Sequence, residues 1–433
     1  MSLAVAAACL LGPACRRENP APPPAAAAPT TETPRPNLTP LGNPPDWGKL
    51  QPLQGTVSRE EFERQLTTVY ALPGAWQSTL SLNSDAVSIR RETASAKAET
   101  YLLRFAAAAP ARPPRYWRPA AELPPLRDPA RPLEGIHIAL DPGHIGGNWA
   151  HMEERSWRHS ADQQPIKEGD ITLTTARLLQ PMLEELGAKV SLVRSRLDPV
   201  TPLRPADFLS AATAELLKPG SGTSEAPPPR TVQTHAEKLF YRTAEIRARA
   251  AMINDHLRPD LVVCLHFNAA PWGPSGASAF SPENHLHLIV NGAYSLEELM
   301  LDDQRFEMLT RLLQGIHDEE AAVSDAVARS LAVATALPAY VYRTGNALPV
   351  ARNPYVWARN LLANRLYQCP VVFCEPYVMN NQEVYERVQA GDFAGETEIH
   401  GKQVRSIFRE YARGVAEGLK AYYAGTRPLV EDK

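Results

Sequence analysis

The sequence predicts an α/β protein built on a mostly parallel, twisted sheet flanked by helices, with a small N-terminal α+β module. Three observations carry this prediction. From residue 135 onward, short apolar runs of strand length alternate with longer segments of helical period. The chain has 433 residues, more than one ordinary domain, and 44% of them are hydrophobic, enough to fill a core. Its 41 prolines are too many for a compact domain and gather in stretches that separate the parts.

In chain order, residues 1–17 read as an export leader. The segment 3–14 is apolar and rich in small residues, long enough for a signal-peptide core and too short to span a bilayer. Gly12-Pro13-Ala14-Cys15 resembles a bacterial lipoprotein cleavage box, which would make Cys15 a lipid anchor, although Gly12 stands where that pattern has leucine. Residues 18–48 are dominated by Pro, Ala and Thr and form a linker that tethers without folding. Residues 49–107 make the accessory α+β module. Ser58-Arg59-Glu60-Glu61 opens a helix with a capping-box pattern, and strands are expected over 76–82, 86–90 and 100–105. A second proline-rich linker covers 108–133.

The main domain is expected over 134–425. It starts with a buried strand at 136–140. A helix over 171–186 follows, with Ile171, Thr175, Leu179 and Leu183 on one face and Gly187 at its end. Next come a strand at 189–194, a helix at 241–257, and strands at 261–265, 286–290 and 370–374. Two insertions interrupt the alternation. Residues 200–238, with Ser221-Gly222-Thr223-Ser224 and Pro227-Pro228-Pro229, read as a loop. Residues 293–365 read as mostly helical cover for one side of the sheet.

Composition removes some functions. A net charge of -3 offers no basic field for nucleic acid or an anionic membrane. Five cysteines make no disulfide framework, and Cys264, Cys369 and Cys374 fall in or beside apolar runs that favour buried thiols.

The chemistry gathers at strand ends. Three apolar strands run into Asp141-Pro142-Gly143-His144, into His266-Phe267-Asn268 and into Glu375-Pro376. Glu168 adds a fourth candidate at the start of the 171–186 helix. Ligands of open α/β sheets bind beyond the carboxyl ends of the strands. Two histidines and a carboxylate make a three-ligand zinc site with a position left for water, and a second, non-ligating carboxylate can take the proton of that water. One strand-end histidine alone is commonplace; the concurrence of four such groups is not.

In order along 135–420 these segments resemble the zinc-dependent, type 3 N-acetylmuramoyl-L-alanine amidases. Ile138-Ala139-Leu140-Asp141-Pro142-Gly143-His144 and Ile145-Gly146-Gly147 are similar to the opening strand, ligand histidine and glycine turn. Lys167-Glu168-Gly169-Asp170 resembles the ligand glutamate. Leu192-Val193-Arg194 and the 247–254 segment resemble the strand and helix that follow. Leu265-His266-Phe267-Asn268-Ala269 resembles the second histidine segment. Pro370 to Glu375, then Met379-Asn380-Asn381, resembles the strand of the catalytic glutamate and its asparagine turn. The departures are a longer 148–166 loop, Gly169 for lysine, Phe267 for alanine, and Pro376-Tyr377 for glycine-phenylalanine.

The resemblance implies a phosphorylase/hydrolase-like fold, Zn2+ held by His144, Glu168 and His266, and Glu375 as the catalytic base. It implies hydrolysis of the amide between N-acetylmuramic acid and L-alanine in peptidoglycan, during wall remodelling or daughter-cell separation, by an exported, periplasmic or membrane-tethered enzyme. Some members of the family insert a blocking helix where the 293–320 region lies here, relieved by an activator protein. On that reading one of Glu297, Glu298, Asp302 and Asp303 reaches the metal; on the alternative reading, which the sequence favours, they form a solvated acidic helix face. Two rival functions are a zinc carboxypeptidase using His151-Met152-Glu153-Glu154 and a catalytically inactive peptidoglycan-binding module. The second requires loss of a ligand or of the base.

Overall fold

The computed structural model describes residues 37–92, 98–217, 226–271, 279–350 and 353–430. The leader with Cys15, most of the first proline-rich stretch and 218–225 of the first insertion lie outside the described residues.

The N-terminal part begins with a helical turn at Trp47–Leu53 and helix α1 (Arg59–Gln65), which continues to Tyr70. Ser58 caps α1 as its spacing predicts, its Oγ accepting from the Glu61 amide at 3.2 Å. Three antiparallel strands follow: β1 (Leu80–Leu82), β2 (Ala86–Glu92) and β3 (Ala98–Arg104). The first is shorter than expected because the Thr79 and Leu80 amides turn back onto the Trp76 carbonyl.

The main part runs through β4 (His137–Pro142), a short hairpin of β5 (Ser156–Trp157) and β6 (Ile166–Lys167), α2 (Glu168–Glu185) and β7 (Lys189–Leu192). Helices α3 (Leu209–Leu216), α4 (Pro229–Lys238) and α5 (Glu245–Ala251) precede β8 (Leu261–Leu265) and β9 (Leu286–Val290). Then come α6 (Leu296–Leu299), α7 (Asp302–Leu313), α8 (Ile316–Thr335), β10 (Leu348–Pro349), β11 (Val356–Ala358), α9 (Leu362–Leu366), β12 (Val371–Pro376), α10 (Gln382–Gln389) and α11 (Ile407–Thr426).

Among the described residues the main sheet has seven strands in the order β10-β11-β9-β12-β8-β4-β7. The pairs β7–β4, β4–β8 and β8–β12 are parallel, β12–β9 is antiparallel, and β9–β11 is parallel again. Alternation along each strand sends side chains to two cores. Ile138, Leu140, Leu261 and Val263 join Leu179, Val327 and Leu419 on one face, under α2, α8 and α11. Ala139, Val262, Cys264 and Phe373 join Ile253 and Tyr367 on the other. The protein is therefore α/β with a mostly parallel sheet, as predicted, and Cys264, Cys369 and Cys374 are free and buried.

Two insertions differ from expectation. The described part of 200–238 is helical rather than a loop. Phe208, Ala212, Ala236 and Phe240 pack into one apolar cluster, and the helix expected from 241 begins at Pro229, with proline at the first helical position. In 293–365, α6, α7 and α8 cover the sheet as expected, but the chain then returns to extend it through β10 and β11.

The 49–107 segment is fastened to the main sheet. The Ala293 and Tyr294 amides donate to Val69 O and Tyr70 O at 2.7 Å each. Phe62 and Leu66 share a core with Leu309 and Leu312 of α7. The proline-rich 110–132 segment is pinned as well: Trp117 is buried beneath the Arg115 guanidinium, and Arg118 pairs with Asp260 at 2.7 Å. Among the described residues no helix is long and apolar enough to cross a membrane.

Candidate metal centre

Three neighbouring strands, β4, β8 and β12, end side by side, and four candidate groups meet at that edge. The chain leaves β4 through Gly143. A Cβ there would lie 2.3 Å from the His266 ring, so only glycine lets the two strand ends approach this closely. His144 then adopts a left-handed backbone, φ 57°. Such a conformation costs a non-glycine residue about 1–2 kcal/mol and persists only where the surroundings hold it. Here two buried arginines hold it. Arg249 donates to Asp141, to Pro142 O and to His144 O, each at 2.8 Å, and Arg194 donates to Gly169 O at 2.8 Å. These are the arginines of the two segments that resemble the family between the ligands.

Glu168 is the first residue of α2 and is 2% exposed. Its Oε1 lies 3.1 Å from His266 Nδ1 and accepts from the Phe267 amide at 3.2 Å. Its Oε2 lies 3.1 Å from both His144 Nε2 and Arg155 Nε. His266 follows β8 and stacks on Phe373 at 4.6 Å between centroids. One ligand atom each from His144, Glu168 and His266 falls within 4.8 Å of the others, a spacing that suits two nitrogens and one oxygen around a single ion with bonds of about 2.0–2.2 Å. Among the described residues this is the one His/Cys/Asp/Glu cluster of that kind.

The electrostatics follow from this geometry. Burial alone would lower His144, but Glu168 and Glu153 on either side of its ring push it up to about 9. Burial alone would raise Glu168, and the two histidines instead hold it far below the usual carboxylate range. Glu375, half-buried on β12, is pushed up, chiefly by burial against the opposing pull of His266. His144, Glu168, His266 and Glu375 all line one cavity of about 230 Å³. A larger cavity of about 910 Å³ opens between α8 and α11, but no histidine or cysteine lines it among the described residues.

Sequence reasoning missed Glu153. The Glu153 carboxylate is buried, accepts from the Ile145 and Gly146 amides at 2.9–3.0 Å, and stands 3.4 Å from His144 Nδ1. The enlarged 148–166 loop thus supplies a carboxylate behind one candidate ligand and, through Arg155, a cation beside another. In the sequence Glu153 reads only as an intervening residue of a His-x-x-Glu pattern, His151 to Glu154. In the structure His151 and Glu154 are both exposed, Glu154 pairs with Arg242, and neither lines the cavity, so this pair does not form the carboxypeptidase-like site. Two departures from the family pattern meet in space: Phe267 stacks on Tyr377 at 5.7 Å. Asn380 bonds Ala270 in both directions, at 3.0 and 3.3 Å, and so fixes the turn beyond His266.

The acids of the blocking-helix reading lie away from the candidate ligands. Asp302 pairs with Arg305, and Asp303 bonds Thr39 and approaches Arg247. Glu298 caps α6 through the Ser295 amide at 2.9 Å, and Glu297 bonds the Ser295 hydroxyl. None lines the cavity. The acidic run serves the first turns of α6 and α7, where negative charge meets the helix dipole.

A parallel sheet whose carboxyl edge gathers two histidines, a buried glutamate and a second, elevated glutamate offers the groups that hydrolytic chemistry needs. The sequence model for N-acetylmuramoyl-L-alanine amidase matches residues 138–397, and the chain belongs to that family of peptidoglycan-cleaving enzymes. No curated protein matches the chain. Similar solved structures include the CwlD amidase of Clostridioides difficile in complex with the GerS lipoprotein, at 14% identity over 66% of this chain and 98% of that one, TM-score 0.37. Ami1 of Mycobacterium smegmatis is 17% identical over 68% and 99%, TM-score 0.36. AmiC2 of Nostoc punctiforme is 14% identical over 67% and 98%, TM-score 0.35.

Proposed function

We propose that this chain is a zinc-dependent amidase that hydrolyses the bond between N-acetylmuramic acid and the L-alanine of the stem peptide, as an exported wall-remodelling enzyme. The observation that carries the reading is the convergence of His144, Glu168 and His266 within 4.8 Å in the cavity that also contains Glu375. Zinc held by those three residues would supply a Lewis acid for the amide carbonyl and bring a water toward a pKa of about 7.

The protein's own groups do the rest. Glu375 takes a proton from the attacking water and returns it to the departing nitrogen, so the carbonyl carbon gains hydroxyl as the C–N bond breaks. A carboxyl raised by burial suits both halves of that transfer. Glu153 fixes the His144 ring by facing its Nδ1, which leaves Nε2 for the ion. Export and a lipid at Cys15 belong to the same proposal and rest on residues 1–17. An activator bound at 293–320 would act on helices that pack against the N-terminal segment and α9, not on a plug in the cavity.

The test is metal analysis of the purified enzyme, with mass spectrometry of digested peptidoglycan. The expected product is free stem peptide beginning at L-alanine. Glu375→Ala should keep its metal and lose about 10²- to 10⁴-fold in rate. Cleavage at another bond, or an active Glu375→Ala enzyme, would overturn the assignment.

A further inference from the structure

The cavity has a second wall. Because β9 runs antiparallel to β12, His287 sits opposite Glu375, and Ile289 sits opposite Phe373. On its other side Ile289 pairs with Trp357 of β11. Side chains two apart along a strand share a face, so Arg359, two residues beyond Trp357, projects on the Ile289 side of the sheet. Three strand spacings of about 4.8 Å separate β8 from β11, so Arg359 stands across the cavity from the metal-ligand cluster, roughly 14 Å away by backbone. It lines the same cavity as Glu375.

Arg359 is held but not neutralised. Its amide donates to Val290 O at 2.9 Å. Its guanidinium lies over the Tyr342 ring, 5.6 Å from the centroid, and one N–H reaches the Tyr342 hydroxyl at 3.5 Å. That hydroxyl is fixed in turn by His287 Nε2 at 3.1 Å. Burial and the neighbouring charges push His287 down to about 3, so it adds no positive charge. No carboxylate among the described residues comes within ion-pairing distance of Arg359. The other arginine lining the cavity, Arg155, is already engaged by Glu168 at 3.1 Å. A half-buried guanidinium held in place without an anion is arranged to receive one.

The reaction identifies the anion. In a muramoyl-peptide the carboxyl of the acyl half is consumed in the amide that is cut. Every free carboxylate therefore belongs to the departing peptide. We propose that Arg359 binds a carboxylate of that peptide, and so makes the enzyme selective for acidic over amidated stem peptides. This rests on the amidase reading above.

The test uses two synthetic muramoyl-peptides that differ only in a carboxylate or carboxamide on the residue after L-alanine, with the metal-loaded full chain. Wild type should favour the acidic peptide by about tenfold or more in kcat/KM. Arg359→Gln should erase that preference through KM rather than kcat, and Arg359→Lys should restore part of it. Melting temperatures of both variants confirm that they are folded. Equal rates on the two peptides by wild type, or an equal loss on both in Arg359→Gln, would overturn the proposal alone. Cleavage of neither peptide by wild type would overturn the reaction assignment and this proposal with it.

Discussion

The two halves of the main sheet differ in what they bring to the cavity. The parallel half, β7–β4–β8–β12, brings His144, Glu168, His266 and Glu375, each within two residues of a strand end or at a helix start. Its histidines face carboxylates at 3.1 Å. The other half, β9–β11–β10, brings Tyr340, Tyr342, His287 and Arg359, and its histidines have no carboxylate in hydrogen-bond contact. Strand order brings the candidate reacting groups to one edge. The opposite wall depends on side chains from the irregular 336–347 segment and on which face the three-residue strand β11 presents. On the proposed reading, chemistry and recognition are therefore encoded at different levels of the fold.

The comparison breaks most easily at the metal side. His266→Ala removes one of three donors and should strip the ion and reduce amidase activity to background. That loss exceeds the about 10- to 100-fold that changes behind a ligand produce. Tyr342→Phe, on the opposite wall, should keep full metal content. Metal counting on the two purified variants checks this. Stoichiometric metal in His266→Ala would remove His266 from the ligand set.

A smaller effect is expected one layer out. Glu153→Gln keeps the shape of the side chain but removes the charge that faces His144 Nδ1. Metal affinity should fall about 10- to 100-fold, measured by competition with a chelator. If the affinity holds while the protein melts lower, Glu153 serves only the Ile145 and Gly146 amides.

What the sequence made legible follows the same division. His144, His266 and Glu375 could be singled out because apolar runs announce strands whose ends fall at the sheet edge, and Glu168 because it opens a strongly periodic helix. Glu153 could not, because its partner is fixed by a loop that doubles back: Glu154 has φ 57°. Arg359 could not, because a three-residue strand inside a helical insertion has too little periodicity to read. The helices at 209–216 and 229–238 were hidden by the glycine, serine and proline between them, although Ala212, Ala236 and Phe240 supply an apolar face. The acidic run at 297–303 reads from the sequence chiefly as a solvated helix face, yet Asp302 and Asp303 are buried in pairs with Arg305 and Arg247, and none of the four acids lines the cavity.

The smallest expected effect concerns histidines that lack a carboxylate partner. His317, at the start of α8, is buried against Tyr70, with Arg64 and Arg311 near and Glu61 opposing them, and burial first and those arginines next push it down to about 4. Its ordinary value is 6.5, so below that pH the unfolded chain takes up a proton that the folded chain refuses. The stabilising contribution is complete above pH 6.5, declines as pH falls, and is exhausted near pH 4. Between about pH 7.5 and about pH 5 this amounts to roughly 2 kcal/mol. Denaturant unfolding of wild type and His317→Gln, with metal stripped from both, isolates the effect, because every other titrating group is shared. The variant should lose stability less steeply on acidification. Parallel pH profiles would mean that His317 takes its proton without unfolding, and that the contrast between paired histidines on one half and neutral ones on the other does not extend to stability.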